Sequence, residues 1–230
     1  MFANFDFDVI RRSLGYLFID GMTFTLTLTG LAALGGLIFG TLLALMRLSG
    51  FKWLGRIAGL YVDLMRSLPL VLVIFWFYFL VPYLGQWLTG SSRPVRVGAF
   101  ASSLVTFIMF EAAYFSEIMR AGIQSISKGQ PAAANALGLT YGQTMRYVVL
   151  PQAFRNMLPV LLTQTIVLFQ DTSLVYVLSI PDFLGAASKV AQRDGRLVEM
   201  YLFAAAVYFV ISCAASFGVR RLQARISIVR

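Results

Sequence analysis

Residues 128–151 read KGQPAAANALGLTYGQTMRYVVLP, a moderately polar, glycine-punctuated insert between two long apolar segments. Residues 132–137 favour a short helix, and Gly138 is placed to end it as a C-terminal cap. Alanine and leucine there would form a compact knob able to enter a groove on a partner at the face of a membrane. A plain connection between two spans is the other reading that the loop residues allow.

The rest of the chain supplies the membrane. Of 230 residues 59% are apolar and only 13% charged, too few charges to cover a soluble surface, and the mean hydropathy is +0.78. The net charge of +9 is scattered between apolar runs, which points to membrane topology before nucleic acid. Histidine is absent, and the single cysteine, Cys213, sits in an apolar run, where a packing role is expected. Disulfides, Cys/His zinc sites and histidine catalysis are thereby excluded, and no metal site is expected.

The N-terminal twenty residues carry Asp6, Asp8 and Asp20 around Arg11 and Arg12, unlike a secretory signal. They read as an amphipathic lead-in, with Phe2, Phe5, Phe7, Ile10, Leu14, Leu17 and Phe18 able to lie on lipid. Residues 21–46 hold no charge and exceed the roughly 20 residues needed to cross hydrocarbon. Their small residues (Gly30, Ala33, Gly36, Gly40, Ala44) fit either close helix approach or glycine tolerated in lipid. A second span is expected over about 61–84, entered through an interfacial turn, with a break near Ser67 and Leu68 ahead of Pro69. Asp63 and Arg66, three apart, could pair. Further spans are expected over about 97–119, 157–180 and 197–219. The expectation is an all-α membrane protein with about five transmembrane helices in a single domain, residues 1–230.

Two of these spans carry deep polar groups. Glu111, Tyr114 and Glu117 step by three and share a face, and Glu117 can pair with Arg120. Charge at the bilayer centre costs about 2.5–3.5 kcal/mol on insertion scales, so such groups face protein or water. Glu111 fits path lining and structural hydrogen bonding equally. The fourth span holds Gln164 and the consecutive Gln170, Asp171, Thr172 and Ser173, which occupy every side of a helical turn. These, with Glu111 and Tyr114, are the candidate substrate path. Five spans put the termini on opposite sides. One side holds Arg47, Lys52, Arg56, Arg66, Arg120, Lys128, Arg146, Arg155, Arg220, Arg221, Arg225 and Arg230, against seven basic residues on the other. The excess places the insert and the C-terminus in the cytoplasm and the N-terminus outside.

Ala133-Ala134, three residues, Gly138, nine residues and Val148-Val149-Leu150-Pro151 reproduce the spacing of the EAA loop of ABC importer permeases. Tyr114-x-x-Glu117-Ile118-x-Arg120-Ala121-Gly122, Arg66-Ser67-Leu68-Pro69, Leu150-Pro151-Gln152-Ala153 and Thr172-Ser173-Leu174 resemble the polar amino-acid subfamily (histidine, glutamine and glutamate type). Phe110-Glu111-Ala112-Ala113-Tyr114 and the segment from Gln170 to Tyr176 most resemble permease subunits of bacterial glutamate/aspartate importers. One departure stands out: where the motif has glutamate, this chain has Ala132, after Pro131.

The resemblance implies a type I importer (MetI-like) permease fold in the bacterial inner membrane, with residues 128–151 as a cytoplasmic coupling loop. Gln130, Ala133, Ala134, Ala136, Leu137, Gly138, Leu150 and Pro151 would dock a cytoplasmic ATPase. The implied partners are a second permease subunit, an ATPase dimer that binds ATP and magnesium, and an extracytoplasmic substrate-binding protein. A heterodimer would let the second permease supply the charge missing at Ala132. The chain has no GxxxxGK[ST] sequence, so no nucleotide chemistry of the P-loop kind is expected of it. Two rival classes are an ion-coupled carrier or channel using Glu111, Asp171 and Glu117 without an ATPase, and a membrane-embedded enzyme, for which the usual catalytic constellations are missing.

Overall fold

The structure is a computed structural model that describes residues 5–226; Phe2 and Arg230 lie outside the described residues. Its helical segments are, in order, α1 (Phe7–Leu48), α2 (Lys52–Ser67), α3 (Leu70–Thr89), α4 (Ala99–Gln124), α5 (Gly129–Ala136), α6 (Tyr141–Leu178), α7 (Phe183–Asp194) and α8 (Leu197–Ile226). Five of them, α1, α3, α4, α6 and α8, are long and apolar enough to cross a membrane.

The helices differ from the uncharged runs for identifiable reasons. The lead-in is not a separate helix on lipid: it continues into the first apolar stretch through a π-helical turn at Tyr16–Met22. Asp6 caps its start, accepting hydrogen bonds from the amides of Asp8 (2.9 Å) and Val9 (3.3 Å), and Leu17 is buried in protein while Phe7 and Phe18 face outward. The expected second span of about 61–84 is cut in two. Pro69, extended at ψ 127°, has no amide hydrogen to continue the ladder, so α2 stops at Ser67 and a new helix runs from Leu70. Elsewhere the helices overrun the apolar runs, because a charged residue such as Arg120 or Arg220 ends a hydrophobic stretch without ending a helix.

The chain forms two compact units. The first comprises Met1–Leu34, Leu68–Ile108 and Ile166–Ala215. Its core gathers around α7, where Phe183, Ala186, Ala187, Val190 and Ala191 are buried against Leu17, Met22, Phe169 and Met200. Gly21 makes this possible: a Cβ there would come within 3.0 Å of the Ala186 Cβ and the Phe183 Cα. Asp182 caps α7, accepting from the amides of Leu184 and Gly185 at 3.0 Å each, and the Thr25 hydroxyl accepts from the Phe183 amide at 3.0 Å. Burial pushes the Asp182 carboxyl up to about 7, against the pull of the two amides. Ion pairs Arg12–Asp194 (3.1 Å) and Arg196–Glu199 (3.2 Å) bound this unit.

The second unit comprises Gly35–Ser67, Met109–Thr165 and Ser216–Arg230. Here the small-residue stripe of α1 splits into two behaviours. A Cβ on Gly36 would lie 2.7 Å from the Glu111 Cβ, and one on Gly40 would lie 2.9 Å from the Phe115 Cβ, so these glycines permit close contact with α4. Gly30, in the first unit, has nothing within 4 Å of a built Cβ and is simply tolerated. Ala44, Phe115, Met119 and Leu161 form one cluster and Val62, Met65 and Ala113 another. Gly122 brings α4 onto α6 at Met157.

Candidate functional site

The insert folds into the short helix α5, a tight turn and the start of α6. The helix begins at Gly129, three residues earlier than the expected 132–137, because Pro131 falls in the first turn, where its missing amide hydrogen costs nothing. Its end is a Schellman turn: the Leu139 amide donates to the Ala134 carbonyl (3.1 Å) and the Gly138 amide to the Asn135 carbonyl (2.9 Å). Gly138 sits at φ +81°, which a side chain would strain. Thr140 then starts α6 with a capping box. Its amide donates to the Gln143 side-chain oxygen (2.9 Å), and the Gln143 backbone amide donates back to the Thr140 hydroxyl (3.4 Å). The knob is therefore held by paired hydrogen bonds on both sides of Gly138.

Gln130, Ala133, Ala136, Leu137, Gly138, Leu150 and Pro151 are exposed, and Leu137 reaches 81% exposure despite being apolar. Ala134 differs: it is buried, so its methyl anchors the helix instead of presenting a surface. Beside it the buried Thr144 hydroxyl donates to the Asn135 side chain at 3.4 Å. Tyr141 and Tyr147, also exposed, extend the apolar surface beyond the residues the motif singles out.

The candidate path residues fall into the two units. In the second unit Glu111 is only 1% exposed and accepts from the Gln164 amide at 3.2 Å, while Tyr114 is half-buried under the Arg66 guanidinium, 5.4 Å from the ring centre. In the first unit Gln170 donates to Ser212 at 3.0 Å, and the buried Thr172 hydroxyl donates to the Phe169 carbonyl at 2.7 Å. Asp171 and Ser173 are half-buried there. The helix tightens to 3₁₀ at Thr172–Leu178, so the four consecutive polar residues straddle a change in helical pitch.

Sequence reasoning missed the richest electrostatic group. Glu117 pairs with Arg120, as the spacing of three predicts, through Nη2 to Oε1 and through Nε to Oε2 at 3.2 Å. Arg47 of α1 also donates to Oε2 at 2.5 Å, and Arg66 of α2 approaches the same oxygen to 4.0 Å. One carboxylate thus gathers three guanidinium groups from three helices. Arg66 is turned to Glu117 and Tyr114, and the Asp63–Arg66 pair is not formed among the described residues. No arrangement of three or more His, Cys, Asp or Glu suited to a metal occurs among those residues.

Comparison with known proteins agrees with this architecture. The family described as binding-protein-dependent transport system inner membrane component matches residues 36–228. The glutamate/aspartate import permease protein GltK of Escherichia coli O6:H1 is 55% identical over 96% of this chain and 98% of its own length. The probable glutamine ABC transporter permease protein GlnM of Bacillus subtilis strain 168 is 33% identical over 91% and 93%. A crystal structure of an amino acid ABC transporter with histidines superposes with a TM-score of 0.86 at 33% identity, covering 96% of this chain and 98% of that one. The MetNI methionine ABC transporter, at 17% identity and a TM-score of 0.74, shares the fold. Five apolar helices, the EAA-type insert and these matches together identify the chain as a member of the family of inner-membrane components of binding-protein-dependent transport systems.

Proposed function

We propose that this chain is a permease subunit of an ATP-driven importer of glutamate and aspartate, in which it forms half of the translocation path. The observation that carries this reading is the exposed knob ending at Leu137 and Gly138, clamped by the Schellman turn and the Thr140 capping box. An apolar side chain 81% exposed on a turn clamped from both sides suits a docking knob better than a plain connection. The 55% identity with a glutamate/aspartate import permease supports the substrate class.

In this reading the insert lies in the cytoplasm with the C-terminus, as the excess of basic residues favours, and the N-terminus lies outside. Gln130, Ala133, Ala136, Leu137, Gly138, Leu150 and Pro151 contact an ATPase, while Ala134 holds the helix in place from beneath. ATP and magnesium are bound by that partner. Nucleotide must favour one state of the spans over the other, and a stiff knob transmits that bias where a mobile loop would dissipate it. A second, different permease subunit pairs with this one and carries the motif carboxylate that Ala132 lacks, and an extracytoplasmic binding protein delivers the substrate.

Cross-linking tests the docking. With Cys213, the only cysteine, replaced by serine, a Leu137→Cys chain is expected to cross-link to a co-expressed ATPase. Leu137→Asp is expected to reduce ATPase recovery on the purified membrane component about tenfold, the loss of one apolar anchor at an interface centre. Full ATPase recovery with Leu137→Asp would remove the insert from the interface.

A further inference from the structure

We infer that the cleft between the end of α6 and α7 is a receiving site for the carboxylate of the cargo, in which Lys189 supplies the charge and Ser188 a hydrogen-bond donor. The inference rests on the importer reading and deepens it, because it gives the anionic cargo a first contact on the permease.

The cleft is formed by this chain alone. All of its walls come from residues 176–192, where α6 ends in its 3₁₀ turn and α7 follows. Ser179, in the left-handed conformation at φ +59°, turns the chain between the two helices. Gly185 lets α7 close on that turn, since a Cβ there would lie 2.2 Å from the Ile180 carbonyl oxygen. What remains open is a space of about 360 Å³, within the roughly 300–1,000 Å³ of small-molecule sites. It lies past the end of α6, whereas the insert precedes the start of that spanning helix. In the importer reading this end faces the binding protein.

The chemistry of the lining selects an anion. Lys189 is exposed at the cleft and makes no ion pair or hydrogen bond among the described residues. No carboxylate side chain lines the cleft. Asp182, the only acid within residues 176–192, is 0% exposed, and its carboxylate oxygens each accept an amide hydrogen of α7. Ser188 is 5% exposed, and its hydroxyl oxygen accepts from the Gln192 Nε2 at 3.0 Å and from the Tyr201 hydroxyl at 3.1 Å. With both lone pairs taken, its own proton is what it has left to give. Gln192, with Nε2 committed to Ser188, keeps its side-chain oxygen to accept from an ammonium. A cation, a hydroxyl donor and an amide oxygen around one small cleft match the carboxylate and ammonium groups of an amino acid. The uncompensated positive charge favours one whose net charge is negative.

The test is equilibrium binding of radiolabelled glutamate to the purified permease–ATPase complex without binding protein, so that the affinity read belongs to the membrane complex. Lys189→Gln is expected to weaken binding roughly tenfold, the loss of one charge-assisted contact near the surface. Lys189→Arg, which keeps the charge, should retain most of the affinity. Because Lys189 has no internal partner, both variants should melt with the wild type, which removes misfolding as an explanation. Unchanged affinity in Lys189→Gln overturns the inference, and so does the absence of any binding by wild type. If that variant instead impairs only the response to binding protein, the cleft holds a carboxylate of that protein and the inference is likewise lost. Glutamate uptake by the wild-type complex in vesicles, with binding protein present, is measured alongside. Normal uptake with unaltered binding in Lys189→Gln sinks the inference alone, and no uptake by wild type sinks the importer reading as well.

Discussion

Replacing Glu117 with glutamine is expected to lower the stability of the purified protein by about 1–3 kcal/mol, between the worth of an exposed ion pair and the cost of breaking a buried one. The physical reason is asymmetry. The amide is nearly isosteric, so packing is preserved, but Arg47 and Arg120 lose the charge that offsets their removal from water. Their side chains are 15% and 27% exposed, so solvent compensates only in part. Removing Arg120 should cost less, because Glu117 would still hold Arg47 at 2.5 Å and have Arg66 at hand. Thermal melting in a mild detergent orders the variants: Glu117→Gln below Arg120→Gln, and both below wild type. Equal melting of all three would mean that the cluster is no more than a solvated set of surface charges.

Gly40→Leu is expected to disrupt the second unit, while Gly30→Ala in the same helix is tolerated. A Cβ on Gly40 would meet the Phe115 Cβ at 2.9 Å, the Ala112 carbonyl oxygen at 3.0 Å and the Ser116 nitrogen at 3.1 Å. Two of these are backbone atoms that no rotamer change removes. Overpacking of this kind costs about 1–3 kcal/mol for a small excess of volume and more for a whole leucine side chain. At Gly30 there is open space within 4 Å. Yield of monodisperse protein after detergent extraction separates the two, with a sharp fall for Gly40→Leu alone. Normal yield of Gly40→Leu would show that α1 and α4 do not need this approach.

These two sites mark what the sequence makes legible and what it does not. Membrane class, an all-helical fold and five long apolar helices follow from uncharged runs and composition, because lipid leaves the backbone few alternatives. The break at Pro69, which separates α2 from α3, follows from its missing amide hydrogen. Local pairing was legible too: Glu117 and Arg120 are three apart on one helix. Arg47 and Arg66 were not, because they lie 70 and 51 positions before Glu117 and meet it only through tertiary packing. The same limit applies to the glycine stripe. Spacing marks Gly30, Gly36 and Gly40 alike, and only the neighbouring helix distinguishes them.

The insert shows the converse. Its motif spacing identified the exposed Leu137 and the cap at Gly138, yet a motif does not say which methyl faces inward, and Ala134 proved to be an anchor. The π-helical turns at Tyr16–Met22, Trp76–Leu80 and Met145–Val149 have no signature in the pattern of apolar and polar residues. A single widened turn depends on small differences in packing around it.

The most direct test of the central claim is reconstitution. The complex purified through a tag on this chain is placed in proteoliposomes with ATP enclosed on the ATPase side and with its binding protein and labelled glutamate outside. The expected result is glutamate accumulation that requires ATP, is competed by aspartate and is indifferent to collapse of ion gradients. Accumulation that persists without ATP and follows an imposed ion gradient would contradict the account.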